Sequence, residues 1–190
     1  MGGQNGKVDK VVRTPRVSRC SRSPGGVVVG NRLRGNRASG IALENGTTST
    51  TVARNRIRCG GDGIAVLDSN DNTVVRNRVM DAGGVGILLD EFFAEDGSDG
   101  NRIAHNSTSR GGLAGILVTG PSTSNTLSEN LASRNASDGI RVRTSGNRLE
   151  RNTANRNRRR GIEAVAGTVD GGGNRATGNG LSPQCTGVSC

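Results

Sequence analysis

A Gly-Ile step returns six times along this chain, at Gly40-Ile41, Gly63-Ile64, Gly86-Ile87, Gly115-Ile116, Gly139-Ile140 and Gly161-Ile162, with the isoleucines 23, 23, 29, 24 and 22 residues apart. A second motif keeps the same order and nearly the same offset. It has Asn or Thr, an apolar residue two positions on and Asn three positions after that, and it runs from Thr50 to Asn55, Asn72 to Asn77, Asn101 to Asn106, Asn125 to Asn130 and Asn147 to Asn152. Self-similarity at this period means that one small unit, unable to bury an apolar face alone, is stacked on copies of itself.

Within each unit apolar and polar residues alternate over short stretches, which is the period of a strand. Three strands fit per repeat. The first supplies Ile41/Leu43, Ile64/Val66, Ile87/Leu89, Ile116/Val118, Ile140/Val142 and Ile162/Ala164, and the second supplies Val52, Val74, Ile103, Leu127 and Leu149. The third supplies Ile57, Val79, Thr108, Ala132 and Ala154, which shrink toward the carboxyl end. Like residues then stack about 4.8 Å apart as internal ladders. The core must be narrow, because aromatics are 1% of the chain and it has no Trp or Tyr. Thirty-one glycines against four prolines fit frequent tight turns. Asn at the corners can bond the coils above and below and tolerates a left-handed backbone. The expectation is an all-β, single-stranded parallel β-helix of about six coils. A leucine-rich repeat has a similar period but requires leucine-dense ladders and a helical side. A calcium-binding nonapeptide helix fails where its ligand Asp is required, at Ala65 and Leu88.

The β-helix is expected over residues 25–180. Residues 1–24 read as a basic tail or a truncated start, since Lys7, Lys10, Arg13, Arg16, Arg19 and Arg22 against Asp9 hold half of the formal net charge of +10. Residues 181–190 read as a tail in which Cys185 and Cys190 form a disulfide, Gly187 letting the short loop close. Cys20 and Cys59 are isolated. No apolar run is long enough to span a membrane, and the amino terminus lacks the apolar core of a secretory signal.

Units such as Gly63-Ile64-Ala65-Val66 followed by Asn72-Thr73-Val74-Val75-Arg76-Asn77 resemble the right-handed parallel β-helix repeat family, the group that includes pectate-lyase-like and NosD-like proteins. The resemblance covers roughly residues 25–180. It implies an extracellular or cell-surface protein that handles polysaccharide, with lyase, hydrolase or epimerase activity possible by fold alone. The signatures of the family's enzymes are missing: neither the Asn-Thr-Asp and Gly-His-Gly of polygalacturonases nor the Asp-Pro-His-Glu of mannuronan epimerases is present. Arg56-Ile57-Arg58 resembles the polygalacturonase Arg-Ile-Lys, but the ladder already accounts for it.

The longest repeat, Ile87 to Ile116, spans 29 residues and carries an insertion between Asp90 and Gly100. It holds Asp90, Glu91, Glu95, Asp96 and Asp99 with the only two aromatics, Phe92 and Phe93, and leads to the single histidine, His105. Insertions on solenoids map to loops, and loops carry function. Asp68 and Glu91 each follow their ladder isoleucine by four residues, so Asp68, Asp90 and Glu91 are the candidate catalytic carboxylates for a glycosidic bond. No cofactor is expected, Ca²⁺ at these carboxylates excepted. His105 shares its position with Arg76, Glu129 and Arg151 and reads as an exposed polar residue.

Arg54 and Arg56 recur 22 residues later as Arg76 and Arg78. Stacked like charges are costly unless something neutralises them, and Arg is suited to bidentate contact with carboxylate. These four are the candidate substrate-binding residues, and the expected partner is an acidic, uronate-type polysaccharide. A specific nucleic-acid site is not expected, since basic charge comes without aromatics or a recognition motif. The other function left open is a non-catalytic solenoid, as a structural module or a fragment of a larger β-helix protein.

Overall fold

In a computed structural model that describes residues 18–22, 24–91 and 97–190, every strand pairs in parallel and the described residues contain no helix. The first sheet stacks eight strands in chain order: Ser18–Ser21, Ile41–Glu44, Ile64–Leu67, Ile87–Asp90, Ile116–Val118, Ile140–Val142, Ile162–Ala164 and Cys185–Thr186. The second stacks seven: Val27–Val29, Thr51–Ala53, Thr73–Val75, Arg102–Ala104, Thr126–Ser128, Arg148–Glu150 and Val169–Asp170. The third also stacks seven: Arg32–Asn36, Arg56–Cys59, Arg78–Met80, Ser107–Ser109, Leu131–Ser133, Thr153–Asn155 and Arg175–Thr177. The chain visits the three sheets in turn, so it is a parallel β-helix of about seven coils. The six Gly-Ile steps mark six of them. The further coil opens at Ser18–Ser21, where Ser18 lies opposite Ile41 and no Gly-Ile step announces it.

The ladders form as the repeat demands. Ile41, Ile64, Ile87, Ile116, Ile140 and Ile162 are wholly buried in one column, in the register Ile41 to Ile64 to Ile87 to Ile116 to Ile140 to Ile162. Val52, Val74, Ile103, Leu127 and Leu149 fill the second column, and Ile57, Val79, Thr108, Ala132 and Ala154 fill the third. These columns also explain the glycine before each isoleucine. A Cβ on Gly63 would lie 2.3 Å from Val79 Cγ1 and 2.4 Å from the Gly86 carbonyl, and one on Gly139 would lie 2.8 Å from Ala154 Cβ. The third-sheet core residue therefore occupies the space that the glycine leaves.

Asparagine closes the corners. Asn77 Oδ1 accepts from the Asn55 backbone N–H and side-chain amide, both at 3.0 Å, while Asn77 Nδ2 donates to the Val52 carbonyl at 2.8 Å. The ladder Asn31, Asn55, Asn77, Asn106, Asn130, Asn152, Asn174 repeats this between the second and third sheets. A second ladder through Asn72, Asn101, Asn125 and Asn147 precedes the second sheet, and a third, Asn135, Asn157 and Asn179, follows the third sheet. The left-handed backbone expected at the ladder asparagines belongs instead to the residue before each one: Arg54, Arg76, His105, Glu129 and Arg151 all have φ between 49° and 55°. The reason is directional. The left-handed residue turns the chain and points outward, which leaves the asparagine free to aim its amide inward along the stack.

The repeat also reaches past its expected limits at both ends. Ser18–Ser21 lies within the stretch read as a tail, whose residues 1–17 and 23 are outside the described set. At the other end Cys185–Thr186 pairs with Ile162 and Glu163, and the disulfide Cys185–Cys190 is formed. Cys185 and Val188 pack on the last core residues, so the carboxyl segment covers the end of the core.

Candidate functional site

Strand register places the three candidate residues Asp68, Asp90 and Glu91 next to one another along the backbone at the downstream end of the first sheet. Asp90 lies opposite Leu67, and the Asp68 N–H donates to the Asp90 carbonyl at 3.3 Å, so Asp68 and Glu91 follow as neighbours one coil apart. Asp68 is buried, Asp90 half-buried and Glu91 exposed. Asp90 Oδ1 accepts the Glu91 N–H at 2.9 Å. Gly120, one coil further, leaves room for this carboxylate, since a Cβ there would sit 2.8 Å from Asp90 Oδ1. The insertion residues Phe92, Phe93, Glu95 and Asp96 lie outside the described residues. Asp99 is occupied structurally, its Oδ1 accepting the Thr123 N–H at 2.6 Å. Among the described residues no group of three or more His, Cys, Asp or Glu is arranged to hold a metal ion.

The four candidate arginines are exposed and fall on two adjacent columns. Arg56 and Arg78 lie in register at the first position of the third-sheet strands, and Arg32 precedes them in the same column. Arg54 and Arg76 stand on the left-handed corner just before, separated from them by the buried Asn55 and Asn77. Sequence spacing alone had not included Arg32, because the bulge between Arg34 and Asn36 breaks the regular offset of the first coil. Among the described residues none of these five guanidinium groups has an ion pair.

Further round the coil, at the corner that follows the third sheet, an open groove of about 650 Å³ carries Arg110, Arg134, Arg156 and Arg158 along its length. The first three recur 24 and 22 residues apart, the second step being that of the neighbouring Asn135–Asn157 ladder. Asp81 closes one end. It is paired with Arg58 and with Arg110 Nε at 2.6 Å, and these guanidinium groups, Arg110 first, hold its carboxyl below the usual range. Some cations elsewhere meet carboxylates: Arg151 bonds Glu129 and Glu150, and Arg141 and Arg160 share Glu163, while His105 lies 3.3 Å from Glu129. Cys59 is a buried thiol near the Gly61 and Asp62 carbonyls, and burial pushes its pKa up, which is the opposite of what a nucleophile needs.

The comparisons agree with this architecture. A family model described as "Right handed beta helix region" matches residues 91–189, and one described as "Periplasmic copper-binding protein (NosD)" matches residues 16–107. No curated protein matches in sequence. Among solved structures, the periplasmic alginate epimerase AlgG is 26% identical with a TM-score of 0.71, the match covering 77% of this chain and 34% of that one. The mannuronan C-5 epimerase AlgE4 A-module of Azotobacter vinelandii is 15% identical with a TM-score of 0.75, over 87% of this chain and 49% of that one. The Dettilon tailspike protein is 20% identical with a TM-score of 0.67, over 82% of this chain and 37% of that one. The chain thus spans between a third and a half of the length of these proteins.

Proposed function

The chain belongs to the family of right-handed β-helix proteins, and on that footing we propose that it binds an acidic, uronate-type polysaccharide along the arginine columns beside its third sheet. The observation that carries this reading is the stack of Arg32, Arg56 and Arg78 in register, with Arg54 and Arg76 on the adjoining corner and no carboxylate paired to any of them among the described residues. Guanidinium groups one strand spacing apart repel one another. A polymer with a carboxylate on every sugar relieves that repulsion at each coil and offers Arg its preferred planar partner. The likeness to an alginate epimerase supports the choice of a uronate, and its periplasmic address together with that of the NosD family supports a location outside the cytoplasm. No helix among the described residues is long and apolar enough to cross a membrane.

Chemistry on the bound polymer falls to Asp68, Asp90 and Glu91 if it takes place in this chain, as an acid and base flanking a glycosidic bond or sugar carbon. A non-catalytic solenoid needs only the arginines. The test is direct: polyuronate binding is measured at low and high salt for the native sequence and for Arg54→Gln/Arg56→Gln/Arg76→Gln/Arg78→Gln, with circular dichroism to confirm the fold. Salt-sensitive binding that weakens in the variant supports the stripe, and unchanged affinity removes it. Release or epimerisation of sugar that stops in Asp68→Asn and Glu91→Gln assigns catalysis to the carboxylates.

A further inference from the structure

The groove after the third sheet combines three features. Its charge is the first. Arg110 is answered by Asp81, but the groove's other three cations, Arg134, Arg156 and Arg158, have no ion pair among the described residues.

The second feature is backbone cost. Arg110, Arg134 and Arg156 have φ of 55° to 56°, a conformation that costs a side chain about 1 kcal/mol or more. One coil later the same position is Gly178, which adopts it freely. A glycine would also serve the turn in these three coils, yet each keeps a cationic side chain.

The third is the floor. Between the arginines the groove is lined by the small residues Ala82, Gly111, Gly112 and Ala136, of which Gly112 and Ala136 are exposed. Gly112 has no room for any side chain, since a Cβ would lie 2.1 Å from the Gly83 carbonyl. The result is a trough running along the stack in which Arg110, Arg134 and Arg156 follow one another one coil, about 4.8 Å, apart, with Arg158 beside Arg156 in the same coil. That spacing is close to the length of one sugar unit. A single phosphate or sulfate would call for a closed nest of donors, but an open row of guanidinium groups at successive coils, Arg110, Arg134 and Arg156, fits a ligand whose charges recur along a line.

We propose that this groove is a second binding site, in which Arg134, Arg156 and Arg158 grip a linear polymer bearing one carboxylate per unit, laid along the axis of the solenoid. The ligand class rests on the polyuronate reading above, while the site itself is separate from the Arg54–Arg78 stripe. Binding of polymannuronate, of neutral mannan and of inorganic polyphosphate to the full chain is measured at low salt for three proteins: native, the groove variant Arg134→Gln/Arg156→Gln/Arg158→Gln, and the stripe variant described above. The three replaced groups are exposed, so the groove variant is expected to fold as the native chain and to bind polymannuronate about tenfold more weakly, with mannan unbound throughout. If the groove variant alone loses affinity, the groove is the site and the stripe is not. A loss confined to the stripe variant overturns the groove and leaves the proposed function standing. Polyphosphate bound by the native chain while polymannuronate is ignored overturns the carboxylate class for both sites, and a native chain that binds neither polyanion overturns both.

Discussion

Each ladder asparagine satisfies buried backbone in its neighbours as well as itself. Removing the Asn77 side chain leaves the buried Asn55 N–H and the Val52 carbonyl without their partners at 3.0 and 2.8 Å. Orphaned buried groups cost about 1–3 kcal/mol each, so Asn77→Ala is expected to lower stability by about 3 kcal/mol in denaturant unfolding. Asn77→Asp is expected to fare no better, because a carboxylate cannot donate to the Val52 carbonyl. Ile87 is wholly buried between Ile64 and Ile116. Ile87→Asp places an unpaired charge in that column and is expected to cost at least about 4 kcal/mol, against about 1 kcal/mol for Ile87→Val. A soluble, cooperatively folded Ile87→Asp protein of near-native stability would refute the ladder.

The carboxyl segment shows how an element at the end of a stack is secured. The strand Cys185–Thr186 adds to the edge of the first sheet, and the disulfide to Cys190 closes a loop with a separation of five residues. In the chain-entropy view a loop this short stabilises by about 2 kcal/mol, so Cys185→Ser/Cys190→Ser is expected to lower the unfolding midpoint and to expose the segment to proteolysis before the coils themselves open. Asp170 ties the same segment down by accepting the Ser189 and Gly172 N–H groups at 2.8 and 2.9 Å, and these bonds, Ser189 first, lower its pKa. A carboxyl whose folded pKa is depressed contributes stability that is in place above its unfolded value, about 3.9, and is lost as pH falls through the folded value. Amide exchange at Ser189 should therefore stay slow through pH 4 and accelerate only in more acidic solution. In Asp170→Asn the acceleration is expected to be absent.

In the molecule as a whole each coil touches only the coils above and below it, so stability is distributed as a sum over neighbouring interfaces. A cavity in a central coil weakens two interfaces, and one in the end coil weakens fewer. Among the described residues Ile87 lies between Ile64 and Ile116 whereas Leu33 lies opposite Ile57 alone, so Ile87→Ala is expected to lower the melting temperature more than Leu33→Ala, although both side chains are buried. The same stacking makes function a matter of columns. One arginine per coil is an ordinary surface residue, whereas the same arginine repeated at one register becomes a row of charge.

That stacking also divides what could be read in the chain from what could not. The period, the three strand positions, the aliphatic columns through Ile87, Val74 and Val79, and the asparagine columns were legible because a solenoid copies local sequence into tertiary contact: residues one repeat apart must meet. So was the pairing of Cys185 with Cys190, which a five-residue separation nearly dictates. The glycine before each isoleucine was visible only as a residue type. Its cause, the third-sheet side chain pressed against it at Gly63 and Gly139, lies across the coil and appears only when the three sheets close. The coil at Ser18–Ser21 was hidden because register, not composition, admits it to the first sheet. The arginine groove was hidden for a related reason. Arg134, Arg156 and Arg158 sit among many arginines in the sequence, and only the folded corner decides which of them find a carboxylate and which are left facing an empty trough, because charge neutralisation depends on distance through space and the repeat fixes distance along the axis but not around it.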